Sequence, residues 1–114
     1  MPLISSTGAQ TVGPASGGKV TAFNSINTTP AQVIAGNPSR VSITFHAPGS
    51  IDILVAPTRD ANNAVLTPST VNLGGCFRIF AGGDRAFSGE CQQAWQAFSI
   101  SGSSQPLTVM ESNV

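Results

Sequence analysis

Residues 40–46 read RVSITFH, and their side chains alternate between polar and apolar along the whole stretch. In an extended chain the apolar side chains share one face and the polar side chains share the other. The apolar set is Val41, Ile43 and Phe45. An alternation with a period of two is typical of a half-buried β-strand, so the stretch predicts a strand that packs one face against a core.

The residues after this strand predict a hairpin. The sequence APGS at 47–50 is a turn-forming cluster, and an alternating stretch, IDILVA, follows at 51–56. Ile51, Ile53 and Val55 would face inward, and the short turn would pair the second strand antiparallel with the first. The sequence therefore predicts an antiparallel hairpin of 40–46 with 51–56.

Short apolar stretches separated by clusters of Gly, Pro, Asn and Ser recur about every 8 to 12 residues from Val20 onward, the spacing of a sandwich or barrel. The other predicted strands are 20–24, 31–35, 64–66, 70–73, 76–81, 86–91, 95–101 and 107–111, with a short helical turn as an alternative within 90–97. We therefore predict an all-β protein, in which residues 20–114 form one β-sandwich or jelly roll of about eight short antiparallel strands.

Residues 1–19 predict an extended arm in front of this domain. They are rich in Gly, Ser and Thr and show neither helical nor strand periodicity. Such a segment buries too little apolar surface to offset the entropy of ordering it, so we expect a neighbouring subunit to hold it. Docking along its own domain is the alternative. The candidate partner-binding residues of the arm are Leu3, Ile4 and Val12.

Charge is scarce throughout the chain. Five Lys or Arg and five Asp or Glu make up 9% of the 114 residues, against about 25% in a typical domain. The single lysine, Lys19, and four scattered arginines argue against nucleic acid as a partner, because phosphate binding needs clustered cations. No apolar run approaches the roughly 18 residues of a membrane span, and the N-terminus has no basic start or apolar stretch of a secretory signal. We expect neither a membrane partner nor export.

The residues that replace charge are Ser, Thr, Asn and Gln. A surface of this kind stays hydrated but resists self-association poorly. We interpret it as a surface that other protein subunits cover.

The two cysteines predict either a disulfide or two free thiols. A two-residue loop at 83–84 would place Cys76 opposite Cys91 and Phe80 opposite Phe87 in a hairpin. A bridge there would close a loop of about 15 residues and contribute about 3 kcal/mol. A reducing compartment favours free thiols, and the pair would fall at a hydrogen-bonded site, where side chains stand farther apart. Both alternatives remain open.

No combination of residues predicts catalysis. His46 lies on the polar face of a predicted strand without a nucleophile nearby in sequence, and with Cys76 and Cys91 it lacks the spacing of a zinc site. The glycine pairs at 74–75 and 82–83 lack the pattern of a phosphate-binding loop, which leaves them as turn residues. The carboxylates show no acid–base spacing, and we expect them to be solvated; they are Asp52, Asp60, Asp84, Glu90 and Glu111. We therefore expect a protein that is not an enzyme, with no metal, cofactor or small-molecule substrate.

Residues 33–46, VIAGNPSRVSITFH, followed by 48–55, PGSIDILV, resemble a pattern in small structural proteins of tailed bacteriophages. In that pattern an N-P-x-R turn precedes a strand hairpin whose second strand carries G-S-I-x-I. The resemblance implies a head decoration or cement protein, a small β-sandwich that forms dimers or trimers on the capsid exterior and clamps neighbouring subunits of the major capsid protein. Such a protein assembles in the host cytoplasm. The resemblance implies no catalytic residue and a turn-stabilising role for Asn37 and Arg40, through local backbone bonds and charge-assisted bonds respectively.

Composition and resemblance together predict a virion structural protein that decorates and cements a bacteriophage capsid. Interfaces are depleted in Lys, Glu and Asp, and the arm and exposed sheet edges would bridge neighbours. One alternative is a receptor- or carbohydrate-binding module of a tail or fibre, in which Trp95 and Phe98 would form a stacking platform, although aromatics in a sandwich are more typical of a core. Another alternative is a head–tail connector or tail component.

Overall fold

The computed structural model describes residues 18–60, 62–67 and 75–114. In these ranges the chain forms eight β-strands and no helix, so the prediction of an all-β domain with about eight short antiparallel strands is confirmed. The strands are β1 (Lys19–Ile26), β2 (Ala31–Ile34), β3 (Arg40–His46), β4 (Ile53–Pro57), β5 (Phe77–Ile79), β6 (Asp84–Phe87), β7 (Trp95–Ser99) and β8 (Gln105–Asn113). The predicted strand 70–73 and all but the last two residues of the predicted arm lie outside the described residues.

The strands form two four-stranded antiparallel sheets. The first sheet has the order β1-β8-β3-β6 and the second has the order β2-β7-β4-β5. The chain changes sheet at every connection except the one between β4 and β5, so almost all strand pairing joins segments that are distant in sequence. The predicted strand at 64–66 contributes a single bridge, between Val65 and Arg59.

The core lies between the two sheets and consists of the inward-facing residues of the central strands. The first sheet contributes Ile43 and Phe45 from β3 and Leu107 and Val109 from β8; the second contributes Ile53, Val55, Trp95 and Ala97. All of these side chains are buried, as their alternation along the strands requires. Burial of this apolar surface is the main force that holds the sheets together.

The opening stretch departs from its prediction at one end. Val41 was expected to face the core but is 44% exposed, whereas Arg40 is buried. The register between β3 and β8 shifts between Arg40 and Ser42, and an irregularity of this kind interrupts the alternation of side chains. The strand therefore buries Arg40 and exposes Val41, the reverse of what its sequence pattern predicts.

The predicted hairpin of 40–46 with 51–56 is wrong, because β3 belongs to the first sheet and β4 to the second. Beyond β3, Ala47 continues the pairing: its N–H donates to the Gly83 carbonyl at 3.0 Å, and its carbonyl accepts from Gly82 at 2.7 Å. The chain then crosses to β4, which lies between β7 and β5 and is buried on both faces.

The predicted hairpin around 83–84 is also wrong. β5 belongs to the second sheet and β6 to the first, so neither Phe80 and Phe87 nor Cys76 and Cys91 are cross-strand pairs. A turn in which Gly83 N donates to Phe80 O at 2.8 Å carries the chain across, with Gly82 at a φ of 78° that favours glycine. The strand predicted at 86–91 begins earlier and ends at Phe87. Residues 90–93 form a turn rather than a helix.

Candidate functional site

A buried ion pair lies at one end of the sandwich. Arg40 in β3 is 1% exposed, and its Nε donates to Oε1 of Glu111 in β8 at 2.9 Å. Glu111 shares the inward face of β8 with Leu107 and Val109 and is buried with them. The expectation that Glu111 is a solvated surface charge is therefore wrong, because the paired guanidinium offsets the cost of removing the carboxylate from water.

The other donors of Arg40 bind main-chain carbonyls. Nη1 donates to the carbonyls of Cys91 at 2.7 Å and Gln93 at 3.0 Å, and Nη2 donates to the carbonyl of Ala35 at 2.7 Å. One side chain thus joins β3 and β8 to the segment after β2 and to the turn before β7. Four of the five N–H groups of the guanidinium therefore take part in bonds that hold the fold together.

Asn37 lies next to this cluster. Its Oδ1 accepts from the Ser39 N–H at 3.0 Å across Pro38, and its Nδ2 donates to Oδ1 of Asn113 at 3.2 Å. The Arg40 N–H also donates to the Asn37 carbonyl at 3.1 Å. The turn-stabilising role of Asn37 and Arg40 stays a prediction, and their bonds reach β8 as well as the local turn.

Cys76 and Cys91 are not joined by a disulfide in this structure. Cys91 is buried, and its Sγ donates to the Arg40 carbonyl at 3.4 Å. Cys76 is half-buried, and this burial raises the pKa of its thiol. The hairpin register that was expected to place the two residues opposite each other does not exist in this fold.

Asp52 is fixed in the crossing segment between β3 and β4. Its Oδ1 accepts from the Ala81 N–H at 2.7 Å and its Oδ2 accepts from Arg78 Nε at 2.7 Å. The backbone bond from Ala81, followed by the bond from Arg78, lowers the pKa of Asp52 below its ordinary value. Asp52 is therefore a structural acceptor rather than the freely solvated carboxylate that its position in the sequence predicts.

A series of aromatic rings runs from the core to one side of the sandwich. The Phe45 and Trp95 ring centroids lie 5.2 Å apart in the core, and Phe87 lies 4.9 Å from Trp95. Phe77 of β5 lies 5.0 Å from Phe87 of β6, across the gap between the sheets, and Phe77 is partly exposed. The Arg85 guanidinium lies over both outer rings, 5.3 Å from the centroid of Phe77 and 5.8 Å from that of Phe87.

We call this region the aromatic–arginine side and define it by Phe77, Arg78, Phe80, Arg85 and Phe87. Arg78 lies 5.2 Å over the ring of Phe80, which is 65% exposed. The sequence prediction missed this region. The signal was present in the i, i+2 spacing of an arginine and a phenylalanine at 78–80 and again at 85–87, a spacing that places two side chains on one face of an extended chain.

The outer face of the first sheet is a second exposed surface. One row across its four strands consists of the register neighbours Val20, Met110, Thr44 and Ala86. Val20 and Met110 are exposed, and no member of the row carries a charge. This face therefore offers apolar and hydroxyl groups to whatever covers it.

The other residues singled out in the sequence do not form a reaction centre. Nδ1 of His46 lies 2.9 Å from the Gly83 carbonyl. Trp95 and Phe98 are fully buried, so they cannot form a sugar platform. Leu3, Ile4 and Val12 lie outside the described residues. Within 18–60, 62–67 and 75–114, no three His, Cys, Asp or Glu side chains are grouped closely enough to hold a metal ion, and no helix could cross a membrane.

Comparison with known proteins provides no family. No family model and no curated protein sequence matches the chain. A subunit of Bacillus endospore appendages, described as a novel family of disulfide-linked pili, is similar in structure, with a TM-score of 0.49 and 8% identity over 86% of this chain and 87% of that chain. A likeness at this level carries no argument about what this chain does.

Proposed function

We propose that the chain is a non-enzymatic structural protein of a virion, which decorates and cements a bacteriophage capsid by bridging neighbouring capsid subunits. Its partners are the major capsid protein and further copies of itself, as a dimer or trimer on the capsid exterior. The observation that carries the proposal is the scarcity of charge on a surface that exposes large apolar side chains.

Ion pairing makes the surface poorer in charge than the composition suggests. Four of the ten charged residues form two ion pairs, Arg40 with Glu111 and Arg78 with Asp52. The described surface also exposes large apolar side chains: Val20, Val41, Val65, Phe77, Phe80, Met110 and Val114. Depletion of charge together with exposed apolar and aromatic groups is typical of surfaces that bind protein.

The sheet edges offer a second means of association. β1 and β6 are the edge strands of the first sheet, and β2 and β5 are those of the second. Exposed edges present unpaired N–H and C=O groups that a strand of another chain can bind. On a capsid, many copies would repeat such contacts, and multivalency would turn weak contacts into firm attachment.

The proposal is tested with particles purified from the encoding phage with and without the gene for this chain. We expect the purified chain to co-sediment with the depleted particles at saturating stoichiometry and to raise the temperature at which they release their genome. An unrelated β-sandwich protein at the same concentration is the control. Equal heat resistance of the two kinds of particle would contradict the cementing role.

The position in the particle separates the proposed function from a connector or tail role. Averaged electron micrographs should show copies over the whole shell, whereas a connector would appear at a single vertex. A sugar-binding function has lost the residues that suggested it, because Trp95 and Phe98 lie in the interior.

A further inference from the structure

The aromatic–arginine side lies where one edge of each sheet meets the other. β5 ends the second sheet and β6 ends the first, and residues 80–83 join them. No strand of the described chain pairs with the outer edge of either strand. The same side therefore combines unpaired backbone with partly exposed aromatic rings.

Arg85 differs from the other arginines in having no acceptor. Arg40 and Arg78 each bind a carboxylate, and Arg59 donates to the Asn63 carbonyl at 3.0 Å. Arg85 forms no hydrogen bond or ion pair with any residue of the described chain, although its guanidinium lies over Phe77 and Phe87. A guanidinium held over aromatic rings keeps the N–H groups at its rim, where a carboxylate can accept two of them in parallel.

Phe80 supplies an apolar anchor at the start of the segment that joins β5 to β6. Its ring is exposed beneath Arg78, and Arg78 is held by Asp52, which also binds the backbone of the turn at Ala81. A ring held by a fixed neighbour loses little conformational freedom when a partner covers it. Exposed aromatic and arginine side chains are also the residue types that dominate binding energy at protein interfaces.

We propose that the aromatic–arginine side docks an extended acidic segment of a partner protein. The segment pairs with the free edge of β6, places a carboxylate on Arg85 and packs an apolar side chain against Phe80. That the segment belongs to a neighbouring capsid subunit rests on the proposed function.

The charges of the chain favour a different protein as the source of the carboxylate. Asp52 and Glu111 bind arginines, Asp60 accepts from two backbone N–H groups, and Glu90 accepts from Gln93. Among the described carboxylates only Asp84 has no donor, so a second copy offers little acid. A nucleic acid is disfavoured because Arg85 is the one arginine of this side without an ion pair among the described residues, and a lone cation does not form a phosphate-binding patch.

The first experiment measures binding of variants to the depleted particles. We expect Arg85→Ala, Arg85→Lys and Phe80→Ala each to weaken binding about tenfold or more, because each removes the planar fork or the anchor. Two matched variants outside this side should weaken binding less than Arg85→Ala and Phe80→Ala do. Lys19→Ala removes one positive charge at the opposite edge of the first sheet, and Val20→Ala trims a side chain that is 65% exposed, as Phe80 is. Unchanged urea midpoints confirm that all five variants fold.

If Arg85→Ala, Arg85→Lys and Phe80→Ala all bind the particles as the wild type does, the docking surface is overturned. The proposed function is not contradicted by that result. If Val20→Ala loses particle binding and Phe80→Ala does not, the contact lies on the outer face of the first sheet, and the docking surface is again overturned. If Asp84→Asn loses particle binding and also lowers the molecular mass of the free protein in solution, the contact is with a second copy. That result overturns the docking of a different protein.

A second experiment tests the surface without the capsid. An octapeptide of alternating glutamate and valine is titrated into the isotope-labelled chain, with a glutamine–valine peptide as control. We expect saturable amide shifts in β6 and residues 80–83 with the first peptide, and their loss in Arg85→Ala and at high salt. The absence of these amide shifts would overturn the docking surface, whatever the result with particles. Amide shifts in a chain that does not bind particles would contradict the proposed function alone.

Discussion

Arg40 and Glu111 are separated by 71 residues in the sequence, yet Nε of one donates to Oε1 of the other at 2.9 Å in the interior of the sandwich. The pair joins β3 to its neighbour β8 in the first sheet. Because Arg40 also binds three main-chain carbonyls, the loss of its side chain would leave one buried charge and several buried acceptors without donors.

Substitution of Arg40 by Ala should lower the free energy of unfolding by roughly 3–5 kcal/mol, the usual cost of removing one partner of a buried ion pair. Urea denaturation followed by tryptophan fluorescence measures the change. Arg59→Ala is the control, because Arg59 is exposed and a surface substitution usually changes stability by less than about 0.5 kcal/mol. Equal stabilities of the two variants would contradict a structural role for the buried pair.

Asp52→Asn should reduce stability at neutral pH, and the difference from the wild type should shrink in acid. The bonds from Ala81 and Arg78 lower the pKa of Asp52 in the folded state below its ordinary value of 3.8. The stabilisation is therefore fully present above that value and is lost as the pH falls through the lower pKa of the folded protein. Urea midpoints between pH 7 and pH 2 measure the difference.

The matched control for this pH dependence is Asp84→Asn. Asp84 is exposed on β6 and forms no ion pair with the described chain. As a substitution of an exposed residue, it should change stability by less than about 0.5 kcal/mol at neutral pH. A loss of stability in Asp52→Asn that grows as the pH falls would contradict the stabilising bonds that the Asp52 carboxylate accepts.

The two thiols should differ in reactivity. With iodoacetamide and no reductant, we expect two alkylated cysteines in urea, since neither forms a disulfide. In the folded protein Cys76 should react before Cys91, because Cys91 is buried. Only the thiolate reacts, and burial raises the pKa of the Cys76 thiol, so its rate should keep rising into a higher pH range than that of an ordinary thiol. Mass spectrometry of timed samples follows both reactions, and absence of labelling in urea before reduction would restore the disulfide.

Two phenylalanines with opposite environments provide a test of the core. Phe45→Ala should cost roughly 3–5 kcal/mol, because Phe45 is fully buried and packs against Phe87 and Trp95. Phe80→Ala should change stability by less than about 0.5 kcal/mol, since Phe80 is largely exposed. Thermal or urea unfolding compares the two. Similar costs would contradict the placement of one ring in the core and the other at the surface.

Local patterns predicted the strands better than they predicted the pairing. The alternation at Ile43 and Phe45 correctly indicates a half-buried strand, and the cluster at 47–50 and the glycine pair at 82–83 lie where the chain changes direction. The hairpins predicted from those clusters are wrong. Turn chemistry shows that a chain bends, but the same residues can lead back along one sheet or across to the facing sheet, and packing between distant segments decides which.

The candidate surfaces show the same division. The spacing of arginine and phenylalanine at 78–80 and 85–87 is visible in the sequence, but the contact of Phe77 with Phe87 and Arg85 across the gap between β5 and β6 is not. Glu111 has the alternation of an inward-facing residue with Leu107 and Val109, and only the presence of Arg40 explains why a carboxylate can occupy that position.

An all-β chain with few charges follows from the amino-acid sequence, because strand periodicity and composition are properties of neighbouring residues and of the chain as a whole. Only the folded structure shows which sheet each strand joins, which charges are buried in pairs and which arginine has no acceptor among the described residues. These depend on contacts between residues far apart in sequence, where the free energy of burial and pairing is determined by the assembled layers rather than by any local segment.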